Sequence, residues 1–268
     1  MNRQAMDREQ IDRLAKDPRF IPGIYNYCDR WCERCAFTTR CMTYALDRDE
    51  SESPESRDIN NKAFWDKLSG IFKLTMEMIR EAAVRMDINI DAIDTEEYAR
   101  QDEQVHNMAK EQSYSLAAMK YIEMVNAWFD SNKGLLKNKV DELQSLALAD
   151  VPGAVPADEA IDINDCLEVV LWYQHQIYVK LCRAAGGLLR GELENLEYSA
   201  QDTNGSAKVA IIGIERSIVA WGNLLNHFPD DEQYILEMLV ILKRLLQQVE
   251  SSFPHARDFL RPGFDTPM

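Results

Sequence analysis

Four cysteines stand within fourteen residues, in the run Tyr27-Cys28-Asp29-Arg30-Trp31-Cys32-Glu33-Arg34-Cys35-Ala36-Phe37-Thr38-Thr39-Arg40-Cys41. The spacing is C-x3-C-x2-C-x5-C. Thiolates are soft donors, and four of them at this density predict a metal centre held by Cys28, Cys32, Cys35 and Cys41. Zinc is one candidate, but zinc sites built from four thiolates usually draw two ligand pairs that lie about a dozen or more residues apart. All four ligands here sit on one short loop. That compactness suits a [4Fe-4S] cubane, whose irons are far enough apart for a single winding segment to reach each corner. Zinc, and unligated or disulfide-paired thiols, stay open beside it. Trp31 and Phe37 are placed to shield such a centre from water. Arg30, Arg34 and Arg40 would offset the negative charge of a thiolate-ligated cluster.

The stretch Cys32-Glu33-Arg34-Cys35-Ala36-Phe37-Thr38-Thr39-Arg40-Cys41 resembles the C-x2-C-x5-C iron–sulfur staple of the CRISPR-adaptation and helicase-associated nucleases. There an aromatic residue often follows the second cysteine, as Phe37 does here. Similar spacing occurs in the auxiliary cluster domains of some radical-SAM enzymes. In the nucleases the fourth ligand is remote, whereas here Cys28 stands in its place. The resemblance covers about ten of the 268 residues and implies a [4Fe-4S] cluster. The rest of the chain carries neither a nuclease active-site pattern nor a radical-SAM barrel. Cys28-x3-Cys32-x2-Cys35 has the bare radical-SAM spacing, but an all-helical chain lacks the β/α scaffold that chemistry needs.

A second place for metal chemistry is the pair Glu103-x-x-His106, which shares one helical face. Glu168 and His175 also share a face. A ferritin-like di-iron site needs two Glu-x-x-His pairs and two further glutamates, each on its own helix. Only one such pair is present: Leu224 stands three residues before His227, and Ser252 three before His255. Glu77, Glu123, Glu168, Glu215 and Glu237 each interrupt an apolar run. An unpaired buried carboxylate is costly, so the plainer expectation sets them on helix flanks, paired with Arg80, Lys120, Lys180, Arg216 or Lys243. His227, beside Phe228-Pro229, reads as a helix C-terminal residue. No catalytic triad, P-loop or Rossmann glycine pattern appears.

The elements that must position these residues read as helices. Glycine (11) and proline (9) are sparse and sit at the edges of long periodic segments, and no strand alternation or hairpin turn is visible. The predicted fold is all-α: a bundle of four to five long helices behind an N-terminal cysteine-rich metal-binding segment. A short helix over about 5–17 stops before Pro18. Residues 1–46 form the metal-binding segment, 47–58 an acidic linker, 59–253 the helical bundle and 254–268 a tail that is extended and packed on the surface. The first long helix runs over about 59–86, with Phe64, Leu68, Ile71, Phe72, Thr75, Met78 and Ala82 on its apolar stripe. A second starts near Asp94 and continues to about Asp130, with a stripe of Val105, Met108, Gln112, Met119, Ile122 and Phe129. Further helices cover 134–148, about 162–185, about 207–227 and about 230–252. The stretch 186–206 either extends a helix or loops.

With 45 acidic against 30 basic residues the net charge is −15. Such a chain repels phosphate backbones and anionic lipid surfaces, so neither nucleic acid nor membrane is the expected partner. The first sixteen residues hold no apolar targeting segment, and no apolar run is long enough to span a bilayer. The expectation is an acidic, soluble, cytoplasmic protein. In that reducing compartment Cys166 and Cys182, sixteen residues apart on one predicted helix, read as core thiols. Three functions fit the pattern. The first is a redox, electron-transfer or sensing protein built on the cluster, docking a protein partner. The second is an interaction module stapled by zinc or a cluster. The third is a ferritin-like di-iron oxidase at Glu103 and His106. Homodimerisation through a spare apolar stripe is compatible with all three.

Overall fold

The computed structural model describes residues 8–47, 54–194 and 197–265. Among them every regular element is a helix, as the periodicity predicted, and none is long and apolar enough to cross a membrane. The chain divides into two compact units. One comprises the residues up to Arg100 together with those from Arg261 onward; the other is Gln101–Leu260.

The first unit opens with α1 (Arg8–Ala15) and passes through the cysteine segment to α2 (Met42–Asp47). Of the acidic linker expected over 47–58, residues 48–53 lie outside the described residues; Pro54–Arg57 is a 3-10 turn. Then comes α3 (Lys62–Arg85), which starts where the Asn61 side chain accepts from the Ala63 amide at 3.0 Å, a standard N-cap. Arg8 Nη1 meets Glu81 at 2.6 Å and ties α1 to α3. The apolar stripe expected of α3 is covered only in part. Phe64, Leu68, Met78 and Ala82 are half-buried, Ile71, Phe72 and Thr75 are exposed, and Ala83 is the residue that is buried.

The second unit is a four-helix bundle. It holds the end of α4 (Thr95–Lys110), then α5 (Ser113–Ser131), α6 (Lys133–Ala149), α7 (Pro156–Glu194), α8 (Glu197–His227) and α9 (Glu232–Ser252). Helix α7 packs along α8, α8 on α9, and α5 closes the ring against both α7 and α9, while α6 flanks α7. The core is aromatic at one level: Trp128 and Trp221 meet edge to face at 5.1 Å, and Trp221 Nε1 donates to the Tyr121 hydroxyl at 3.0 Å. Helices α7 and α8 approach closely at Gly213, where a Cβ would stand 2.9 Å from Tyr173 Cδ1 and 3.1 Å from Ile177 Cγ1.

Three expectations change here. The helix read as continuous from Asp94 to Asp130 is two helices, broken at Gln112, whose backbone is extended (φ −60°, ψ 141°). Its buried stripe differs in part: Val105 and Ile122 are buried as expected, Tyr114, Ala118, Tyr121, Val125 and Trp128 join them, and Met108 is exposed. The tail after Ser252 is turned rather than extended, with Phe253, Ala256 and Gly263 buried. Within the bundle unit Lys208 Nζ donates to the carbonyls of Arg257 and Phe259, and Arg257 bridges Glu215 and Glu250. His227 does more than end α8: its ring nitrogens face Glu159 at 3.2 Å and Asp162 at 2.8 Å on α7. Lys139 of α6 also reaches Glu159 at 2.7 Å, and that hydrogen bond holds the Glu159 carboxyl below its ordinary range.

Candidate metal centre

The cysteine segment folds without a full helical turn of its own. Cys32–Arg34 is a 3-10 turn closed by Cys35 N–H to Cys32 O at 3.2 Å. Residues i and i+3 of a 3-10 turn eclipse, so Cys32 and Cys35 leave the backbone on one side. A second 3-10 turn, Thr38–Arg40, is closed by Cys41 N–H to Thr38 O at 3.3 Å and hands the chain to α2. The Ile21 amide donates to Arg40 O at 3.0 Å and pins this loop to the stretch of chain before it. Cys28 sits at the end of the preceding turns, and its thiol donates to Tyr25 O at 3.5 Å. Between Cys28 and Cys32 the chain reverses through Arg30 at φ +60°. A left-handed conformation costs a side-chain-bearing residue about 1–2 kcal/mol, and it redirects the backbone so that Cys28 and Cys32 can face the same space.

That space is a cavity of about 30 Å³ with all four thiols, Cys28, Cys32, Cys35 and Cys41, in its walls. On that measure one water needs roughly 10–15 Å³. Ile24, Tyr25, Trp31, Phe37, Tyr44 and Phe264 supply most of the remaining wall. Trp31 is 9% exposed, and Arg34 lies over its ring with the guanidinium carbon 4.1 Å from the centroid. The Phe37 amide donates to Cys35 Sγ at 3.4 Å, the kind of hydrogen bond that stabilises a sulfur carrying charge. Burial pushes the Cys32 thiol above its ordinary value, and the proximity of Cys28, Cys35 and Cys41 adds to the rise. Crowded thiols respond in this way, because a negative charge on one opposes a charge on the next.

The four sequence-selected cysteines therefore share the wall of one cavity without being arranged to grip a metal ion, and Trp31 and Phe37 line the same cavity. Of the three arginines, Arg30 and Arg34 are exposed and Arg40 is half-buried. Cys166 is buried and Cys182 half-buried on α7, both free thiols. Tyr44 and Phe264 were not anticipated as walls. Tyr44 lies within α2 just past the last cysteine, but nothing in the spacing of Pro262-Gly263-Phe264 signals a return to the cysteine loop.

Glu103 and His106 are both exposed on α4, whose buried face is Val105 and Ala109. The acids that interrupt apolar runs lie on flanks. Glu123 pairs with Lys120 at 3.2 Å, Glu168 accepts from Asn164 at 2.9 Å, Glu215 pairs with Arg257, and Glu77 and Glu237 are exposed. Among the described residues no group of three or more His, Cys, Asp or Glu side chains is arranged to grip a metal ion. No family model matches this chain, and no match is found among curated proteins or among solved structures.

Proposed function

We propose that Cys28, Cys32, Cys35 and Cys41 hold an iron–sulfur cluster, [4Fe-4S], and that the protein uses it in electron transfer or in sensing oxidants or iron. The observation that carries the reading is the placement of four thiols in the walls of one small cavity. A tetrahedral zinc ion would draw all four sulfurs to about 2.3 Å from a single point. The four cysteines line one wall without forming a group arranged to grip a single ion, and four thiolates on one short segment suit a polynuclear centre with one sulfur per iron. All four cysteines are half-buried rather than buried, which sets a cluster close to solvent, where a redox partner or an oxidant can reach it. The net charge of −15 fits docking to a basic protein.

A second reading is favoured by a separate observation. From Asp17 to Cys41 the only regular structure is two single 3-10 turns, so the loop has few backbone bonds to hold it. A metal, iron–sulfur or zinc, would then serve chiefly as a structural staple beneath a protein-interaction module.

The deciding experiment is iron, zinc and acid-labile sulfide analysis with a visible spectrum on protein purified without oxygen. About four iron and four sulfide per chain, with a brown colour that bleaches reversibly on reduction, are expected. Cys32→Ser and Cys35→Ser should each abolish the centre, and Cys166→Ser should leave it intact. One zinc and no colour would replace the redox reading by the staple; metal lost in Cys166→Ser would overturn the ligand assignment.

A further inference from the structure

We infer that the segment Arg261–Asp265 is the closing wall of the cysteine site and limits the access of water-borne reagents to its thiols. The inference deepens the reading of that site as a metal centre, but its physical basis is the packing alone. Phe264 lines the cavity with the four cysteines, and its ring meets Phe37 edge to face at 5.0 Å. Phe37 follows Cys35 by two residues and itself donates its amide to that sulfur, so Phe264 bears directly on a ligand-carrying turn.

The chain arrives there by a turn that only glycine fits. Gly263 is buried at φ +78°, and a Cβ on it would stand 2.9 Å from both Ile21 Cδ1 and Ile24 Cδ1. Ile24 is 2% exposed and is also a wall of the cavity. The segment is braced internally. Arg261 donates to Asp265 through its backbone amide (3.0 Å), Nε (3.0 Å) and Nη2 (2.9 Å), while its guanidinium carbon lies 4.8 Å from the Phe264 centroid. These contacts hold a short irregular segment in one conformation, which a loosely laid tail does not need. Its aromatic side chain faces the four thiols, and a wall that shields them is what that rigidity secures.

The test is alkylation of the full chain as purified, with whatever metal it holds, by iodoacetamide, read cysteine by cysteine by peptide mass spectrometry, with Cys182 as internal reference. Phe264→Ala should raise the labelling rate of Cys28, Cys32, Cys35 and Cys41 by about threefold or more through local opening, with Cys182 unmoved. Gly263→Val, strained at φ +78° and forcing Ile21 and Ile24 to shift, should do the same, and Phe264→Leu should stay near the wild-type rate. Unchanged rates at the four cysteines would overturn the inference. So would a rise that includes Cys166 and Cys182 equally, since the segment would then serve the whole fold. Metal content is measured on the same protein before treatment. Exposed thiols without any bound metal would sink the metal reading and spare this one; bound metal with unmoved labelling would do the reverse.

Discussion

Tyr121 shows how much the bundle core invests in one hydrogen bond. The residue has no exposed surface, and burial pushes its phenol up to about 12, so it is neutral at any physiological pH. Its hydroxyl accepts from Trp221 Nε1, which is equally buried. Tyr121→Phe keeps the ring and its packing but leaves the indole N–H without that acceptor, an imbalance that costs about 1–3 kcal/mol. Chemical denaturation should therefore show a lower midpoint at an unchanged slope, with cysteine labelling in the folded protein unaffected. A midpoint equal to wild type would mean that the indole finds another acceptor. Arg30 is the opposite case: it takes a strained backbone conformation in the loop that carries the thiols, where the core residue takes none.

At the scale of elements, the sequence pattern identified helices well and their packing phase poorly. The break between α4 and α5 shows why. Buried positions run 105, 109 and then 114, 115, 118, 121, 122, 125 and 128, and the step of five between Ala109 and Tyr114 turns the stripe off a continuous helix face. Gln112 in an extended conformation resets that phase. A stripe drawn straight through it selects Met108 and Gln112, which the core does not take. Over 186–206 the pattern leaves helix extension and loop both open, and the structure takes the extension. A helix-interior glycine costs about 1 kcal/mol, so the pair Gly186-Gly187 favours an ending on propensity alone, and α7 nonetheless continues through both to Glu194. Gly187 lies directly against Thr203 of α8, a neighbour that only the tertiary structure supplies. The clustering of Cys28, Cys32, Cys35 and Cys41 is legible for the converse reason: the four lie within one short segment, whereas Phe264 of the same cavity arrives from far along the chain. Gly213 gives the element-scale prediction. Gly213→Leu would drive a side chain into Tyr173 and Ile177, both buried on α7. Overpacking of this kind costs about 1–3 kcal/mol beyond any gain in helix propensity. A drop of that size in unfolding free energy is expected, and a variant as stable as wild type would show that α7 and α8 separate freely at this level.

For the whole molecule, the decisive feature is that the chemistry and the main hydrophobic core belong to different units. The four cysteines and the segment that closes over them lie in the first; the Trp128–Trp221 core lies in the second and includes none of them. A bundle of α5, α7, α8 and α9 closed in a ring buries its own apolar faces and needs no metal to do so. The cysteine loop is the reverse case, since apart from Ile21 N–H to Arg40 O its described backbone bonds are local turns such as Arg40 N–H to Phe37 O at 2.9 Å. A centre bound by four thiolates would hold that loop, and its binding free energy would become local folding free energy. Stripping the metal with a chelator should therefore speed hydrogen exchange at the amides of Arg34, Cys35, Arg40 and Cys41 by about tenfold or more. The amides of α7, α8 and α9 should keep their protection within error. If the bundle helices lost protection together with the loop, the two units would be one cooperative body and the metal would be part of the core's stability. If no amide responded, the thiols would not be holding a metal that matters to the fold.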